Sequence, residues 1–253
     1  MAFFIYLCIK DNTMINEVRN TVLSILSKDN RGYITPFEFN LYAKQAQLDV
    51  FERYIYNYSN AIIKQNARMH GEGYSDIPKK IAEVLDTFYT IDSLVYEDPY
   101  FELPSDFYFI QKLVFNNKEV EKVSHQKILN LLSSNLTMPN VYYPVYTMTD
   151  NYDGIAATKN IVQVYPDTID SNITLHYLRF PKDPKWTYVA MGAGDSDPLF
   201  NPSANDYQDF ELPMSDFNDL IVKILQYCGV TIREQDIVAA AKSEEMQDIQ
   251  QKQ

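Results

Sequence analysis

Apolar positions between Met14 and Lys28 fall at Ile15, Val18, Val22, Ile25 and Leu26, the spacing of one helical face, and Asp29-Asn30-Arg31-Gly32 closes the segment. Thr35, Pro36 and Glu38 then form a capping box with proline at the first helical position, so a second helix opens at Pro36. Nothing breaks its pattern until about Met69, a length of about 50 Å at 1.5 Å per residue. One stripe of this helix carries Phe37, Leu41, Leu48, Phe51, Ile55, Tyr58 and Ile62. A second carries Phe39, Tyr42, Ala46, Val50, Tyr54 and Ala61. A helix apolar on two faces must be covered on two faces, either inside an intramolecular bundle or partly by a neighbouring subunit. Gly71-Glu72-Gly73 turns the chain, and Asp76-Ile77-Pro78 starts a shorter helix through Ile81, Val84, Leu85 and Phe88.

After Ser93 the pattern changes to short runs of period two, broken by Pro, Asn, Asp and Gly. Strands are predicted over Phe107–Phe115, Glu119–Val123, Tyr143–Met148, Asn160–Tyr165, Ile173–Phe180 and Thr187–Met191. Asn116-Asn117-Lys118 is the turn of the first hairpin, and Ser124 caps a small helix from His125 to Leu132. The short connections predict an antiparallel meander. Gly192 to Asp209 forms a long loop of the kind that is functional or held by a partner. Phe217, Leu220, Ile221, Ile224 and Leu225 make another helical face that Gly229 ends, and Thr231 with Glu234 opens a last helix. With Ile237, Val238 and Ala241 as its best apolar positions, that helix holds poorly to its own body. Residues 230–253 are therefore expected to bury most of their apolar atoms on another chain.

The expected architecture is α+β: a helical bundle domain, built from N- and C-terminal helices, interrupted by an antiparallel β insert domain. Residues 1–13 are read as an N-terminal arm and 14–92 as the first part of the helical domain. Residues 93–209 form the β insert with one short helix, 210–229 the second helical part, and 230–253 a C-terminal helix or tail that contacts partner chains. Glu102-Leu103-Pro104-Ser105-Asp106-Phe107 and Glu211-Leu212-Pro213-Met214-Ser215-Asp216-Phe217 bracket the β region as punctuation, not as a structural repeat.

Composition narrows the chemistry. The chain has 253 residues, 46% of them hydrophobic, enough for a packed core without staples. Cys8 and Cys228 lie far apart and match no metal-ligand spacing, which favours a reducing compartment. Tyrosine and phenylalanine are abundant, at 20 and 14 residues. Tyrosine suits surfaces that are dry in one assembly state and wet in another, although a Tyr-rich core explains the same count. A net charge of −12 with no basic cluster argues against tight binding to nucleic-acid phosphates. The apolar opening, Met1 to Ile9, is too short to span a bilayer and has neither a basic region before it nor a small-residue cleavage site.

No catalytic, cofactor-binding or metal-binding residue is nominated. His70, His125 and His176 have no ligand partner at a recognised spacing, and His70-Gly71-Glu72 reads as a solvated turn. Glycine fingerprints for nucleotides and nucleophile elbows do not occur, and Gly192-Ala193-Gly194-Asp195 lacks the Gly-Lys-Ser/Thr that completes a phosphate loop. Asp150, Asp153 and Gly154 hint at a calcium loop, but Ile161 stands where the closing glutamate belongs. Asn57, Asn135 and Asn172 fit the glycosylation pattern, which means nothing without a secretion signal. No pair of acids stands out among 34, and Trp186 is either a stacking platform for a sugar or a core or interface anchor.

One set of segments carries a resemblance. Tyr33 to Leu48, Gln65-Asn66-Ala67-Arg68, Tyr74 to Pro78, Pro181 to Trp186, Asp206 to Leu212 and Ile232 to Asp236 resemble the neck adaptor proteins of tailed bacteriophages, and most closely the ring proteins of crAss-like phages. They span roughly residues 31 to 240, and none is a catalytic motif. The apolar leader before Met14 departs from the pattern. The resemblance implies a non-enzymatic virion protein in the head-to-tail neck, assembled in the host cytoplasm. It implies a dodecameric ring of copies bound to the portal protein and to further neck or tail rings, with genomic DNA passing unbound through an acidic lumen, without cofactor or membrane. Phe51, Tyr54, Tyr58, Trp186, Ile237, Val238, Met246 and Ile249 are the expected subunit or portal contacts. The alternatives are a carbohydrate-binding or carbohydrate-cleaving module of a phage tail and a non-viral cytosolic adaptor.

Overall fold

A computed structural model of the chain describes residues 13–27, 33–66, 77–151, 159–189 and 198–232. The expectations for residues 1–12, His70, Asp153, Gly154, Gly192–Asp197 and the segment after Ile232 fall outside those residues. The helices α1 (Met14–Ser27), α2 (Pro36–Asn66) and α3 (Ile77–Leu85) come first. Strands β1 (Tyr89–Ser93), β2 (Tyr96–Glu97), β3 (Tyr100–Glu102), β4 (Phe107–Phe115) and β5 (Lys118–Lys122) follow, then α4 (His125–Leu132), β6 (Val145–Asn151), β7 (Lys159–Tyr165) and β8 (Ile173–Arg179). A small hairpin, β9 (Tyr188–Val189) with β10 (Leu199–Phe200), and α5 (Phe217–Ile232) complete a mixed α+β chain. Two compact units result: Met1–Val84 with Pro181–Gln253, and Leu85–Phe180.

In the first unit, α1 buries Ile15, Val18, Val22 and Leu26, four of the five positions its periodicity marks, while Ile25 stays exposed. The capping box at the start of α2 forms as its sequence requires. The Thr35 N–H donates to Glu38 Oε2 at 2.9 Å, and the Glu38 N–H donates to Thr35 Oγ1 at 3.3 Å. Those contacts hold the Glu38 carboxyl below its ordinary pKa. Of the two stripes on α2, the one through Phe39, Ala46 and Val50 is buried, together with Ala43. Helix α5 packs Leu220, Ile221, Ile224 and Cys228 inward against α1 and α2. It runs through Gly229 to Ile232 instead of stopping at the glycine. Gly229 is buried, and close packing at a site without a Cβ offsets the roughly 1 kcal/mol that glycine costs a helix. The boundary expected between residues 229 and 230 therefore lies inside a helix.

The second unit is a curled eight-stranded sheet in the order β1-β8-β4-β5-β6-β7-β3-β2. Only Leu94 and Val95 separate β1 from β2, the strands at its two ends. Ser93 and Tyr96 can be no more than about 11 Å apart at full extension, so the sheet must bend back on itself. Its inner face holds Phe101, Leu113, Val120, Val162, Leu175 and Tyr177 in one core. Every pairing is antiparallel except one. β5 pairs parallel to β6, with α4 in the crossover between them, so the sheet is not the simple meander that the short connections suggested. At the β4–β5 turn, Asn116 and Asn117 adopt φ of 46° and 62°, the left-handed pair that a two-residue hairpin demands.

Two boundaries differ from the expected layout. Tyr89–Ser93 is a strand paired with Leu178 to Thr174, not part of a helical region. At the other end, Pro181 onward joins the first unit.

Candidate interaction surfaces

Among the described residues no three His, Cys, Asp or Glu side chains are placed to hold a metal. His125 Nε2 lies 2.7 Å from the Met148 carbonyl, and His176 Nδ1 pairs with the Tyr89 hydroxyl. The Cys228 thiol is buried, and that burial pushes it up to about 12, far from a reactive thiolate.

Trp186 is an anchor of the core. It is 1% exposed, and its indole Nε1 donates to Asn16 Oδ1 at 3.1 Å. Asn40 brackets its backbone, accepting from the N–H at 2.8 Å and donating to the carbonyl at 3.1 Å. The Arg19 guanidinium sits 3.8 Å from the ring centre, with Tyr188 and Phe200 stacked at 5.7 and 5.8 Å. No face is left for a sugar or a neighbouring subunit. Phe51, 0% exposed, is likewise internal. Both were expected as contacts with other chains; both instead fill their own, because a large ring gains most where it is fully desolvated.

Tyr54 and Tyr58 are half-buried. Tyr54 belongs to a polar seam between α2 and α5. Its hydroxyl reaches Asp216 Oδ1 and Oδ2, Arg53 pairs with Asp219, and the Tyr227 hydroxyl meets Asp49. Burial raises both the Tyr54 hydroxyl and the Asp216 carboxyl above their ordinary values. Ile237, Val238, Met246 and Ile249 lie outside the described residues.

Two surfaces carry much of the exposed apolar area among the described residues. The first is the ridge Leu129–Tyr143 in the second unit, within a run from Ile128 to Thr149 that contains no charged residue. Leu129, Leu136, Met138, Val141, Tyr142 and Tyr143 are all exposed, Leu136 at 94% and Tyr143 at 77%. The ridge is held by its own polar groups. Thr137 Oγ1 donates to the Leu131 carbonyl at 3.2 Å, and Ser133 Oγ to the Asn130 carbonyl at 2.8 Å. Asn140 Oδ1 accepts from the Tyr142 and Tyr143 N–H groups at 2.9 and 3.1 Å. Pro139 and Pro144 are buried beneath it, and Val123, Ile128 and Val145 form a core of their own. The loop's polar atoms thus satisfy its backbone and leave apolar side chains outside, the reverse of an ordinary surface loop.

The second surface is the outward face of α2. Phe37, Leu41, Leu48, Glu52, Tyr56 and Ile63 follow one another at four- and seven-residue spacings along it. Phe37 is 79% exposed, and Leu41, Tyr56 and Ile63 are each more than half exposed. Part of the helix's apolar surface is therefore left uncovered. The signal for both surfaces was legible: an unusually long charge-free run, and the start of the first apolar stripe at Phe37, Leu41 and Leu48. No protein-family model matches this chain, and no curated protein matches it.

Proposed function

We propose that this chain is a structural virion protein, one subunit of the head-to-tail connector ring of a tailed bacteriophage. In this reading it is no enzyme. Copies associate side by side in a dodecameric ring beneath a portal protein and above further neck or tail rings. The genome passes through the lumen without being held, since a chain of net charge −12 repels phosphates. The finer architecture belongs to the same reading: N- and C-terminal helices form one helical domain, and the curled sheet is an insert within it.

The observation that carries the reading is the charge-free ridge Leu129–Tyr143. A rigid loop that presents leucines, a methionine and two tyrosines to water is built for desolvation by another protein, and tyrosine is among the residues that dominate such contacts. The resemblance of residues 31 to 240 to phage neck adaptors supplies the kind of assembly. The carbohydrate alternative loses its platform with Trp186 enclosed. The test is to mix the purified chain with the portal protein of the same phage and to image the mixture by negative stain. Rings on the portal are expected; absence of any association at micromolar concentration overturns the reading.

A further inference from the structure

We infer that copies of this chain join head to tail, the ridge Leu129–Tyr143 of one lying along the outward face of α2 of the next. This rests on the connector reading and names the two surfaces that meet. The argument begins with charge. Two molecules that each carry −12 repel unless they meet through neutral areas, and the ridge and the α2 face are the two exposed apolar surfaces just described. They are different surfaces on one chain, so a contact between them is heterologous and propagates from copy to copy, closing into a ring where the rotation permits.

Their charges are complementary as well. Glu52 is the one carboxylate on the line from Phe37 through Leu48 to Ile63, and among the described residues it forms no ion pair. The ridge is flanked by the ammonium group of Lys118, on β5, which stands 5.0 Å above the Tyr142 ring and forms no ion pair among the described residues. The neighbouring Lys112 and Lys127 are already matched, to Glu119 and Glu121. A face with one acid outside any ion pair meets a ridge edged by one base outside any ion pair.

Size sets the strength. A stable interface uses about 20–30 residues a side, and the ridge with its β5 rim provides fewer. One contact is therefore weak, and assembly becomes firm only when several copies close together or a template gathers them.

The experiment uses two variants of the full chain, Leu136→Glu in the ridge and Leu41→Glu in the α2 face. Both positions are exposed, and circular dichroism confirms that each variant is folded. Sedimentation velocity up to about millimolar concentration is expected to show concentration-dependent assembly of the wild type. Each variant alone should associate about thirtyfold more weakly, the effect of disrupting an interface hot spot. Mixed, the two variants should form a capped dimer, because each retains the surface the other has lost. Assembly of either variant like wild type, or a mixture that stays monomeric while the wild type assembles, overturns the head-to-tail pairing and leaves the connector reading standing. A wild type that stays monomeric at the highest concentration and on the portal overturns both.

Discussion

The Tyr54 hydroxyl shares its single proton between the two carboxylate oxygens of Asp216, at 2.7 and 2.8 Å. This pair ties the middle of α2 to the turn that starts α5, with Tyr54 half-buried and Asp216 buried. Replacing Tyr54 with phenylalanine leaves a desolvated carboxylate without its donor. The expected cost is about 1–3 kcal/mol of folding stability, read from urea denaturation at pH 7. A change below a few tenths would mean that water replaces the hydroxyl without loss.

The same carboxyl gives a pH dependence with a definite sign. Burial raises Asp216 above its ordinary value of 3.8, and Asp219 adds to the rise, while Tyr54, Arg53 and Ser215 oppose it. The folded chain thus holds a proton that the unfolded chain releases. The stability this group contributes is fully present below 3.8 and is lost as pH rises through the folded pKa. Glu38 acts in the opposite sense, its lowered pKa favouring the fold above 4.5 and losing that contribution as pH falls. The comparison must therefore be made against a variant. Relative to wild type, Asp216→Asn should gain stability as pH is raised from 4 to 7, levelling off above the folded pKa of Asp216. A constant difference across that range would show that Asp216 titrates normally.

Trp186 is the only tryptophan, and its burial makes it a reporter of the first unit. Its emission should be blue-shifted in the folded chain and shielded from iodide, moving to the red as the unit unfolds. Trp186→Ala removes a fully enclosed ring whose indole N–H donates to Asn16 and whose face is covered by Arg19, while the backbone bonds to Asn40 remain. A loss of about 3–5 kcal/mol is expected from calorimetry or denaturant melts. Red-shifted, readily quenched emission from the native chain would contradict this packing.

How far the sequence reveals this arrangement depends on the range of the forces involved. Local rules placed α1, the capping box of α2, the Asn116-Asn117 turn and the Ser124-capped α4, because each is decided by neighbours within four residues. Strand β4 was legible end to end from its own aromatic and β-branched run. Long-range partners decided the rest. Tyr89–Ser93 becomes a strand because β8 accepts it, and β5 runs parallel to β6 because α4 provides a crossover. Gly229 stays helical because the core around α5 excludes anything larger. Phe51 and Trp186 were taken for exposed anchors because composition says that a ring is wanted, not on which side of the surface it will lie.

One long-range contact bears on whether α1 can hold its place. The Asp209 carboxylate accepts the first two backbone N–H groups of α1, Met14 to Oδ2 at 3.1 Å and Ile15 to Oδ1 at 2.8 Å. Its Oδ1 also accepts the Phe210 N–H at 2.9 Å. The negative group sits at the positive end of the helix dipole, so charge and hydrogen bonding act together. The cap comes from a residue nearly two hundred positions away, so it fastens α1 to the segment leading into α5 as well as closing the helix. Asp209→Ala should cost about 2 kcal/mol, the upper end of the range for a helix cap, and should raise amide exchange first in the opening turn of α1. Asp209→Asn keeps an acceptor and loses the charge, and should cost less than half as much. Equal losses in the two variants would show that the charge, not the hydrogen bonds, holds the helix end.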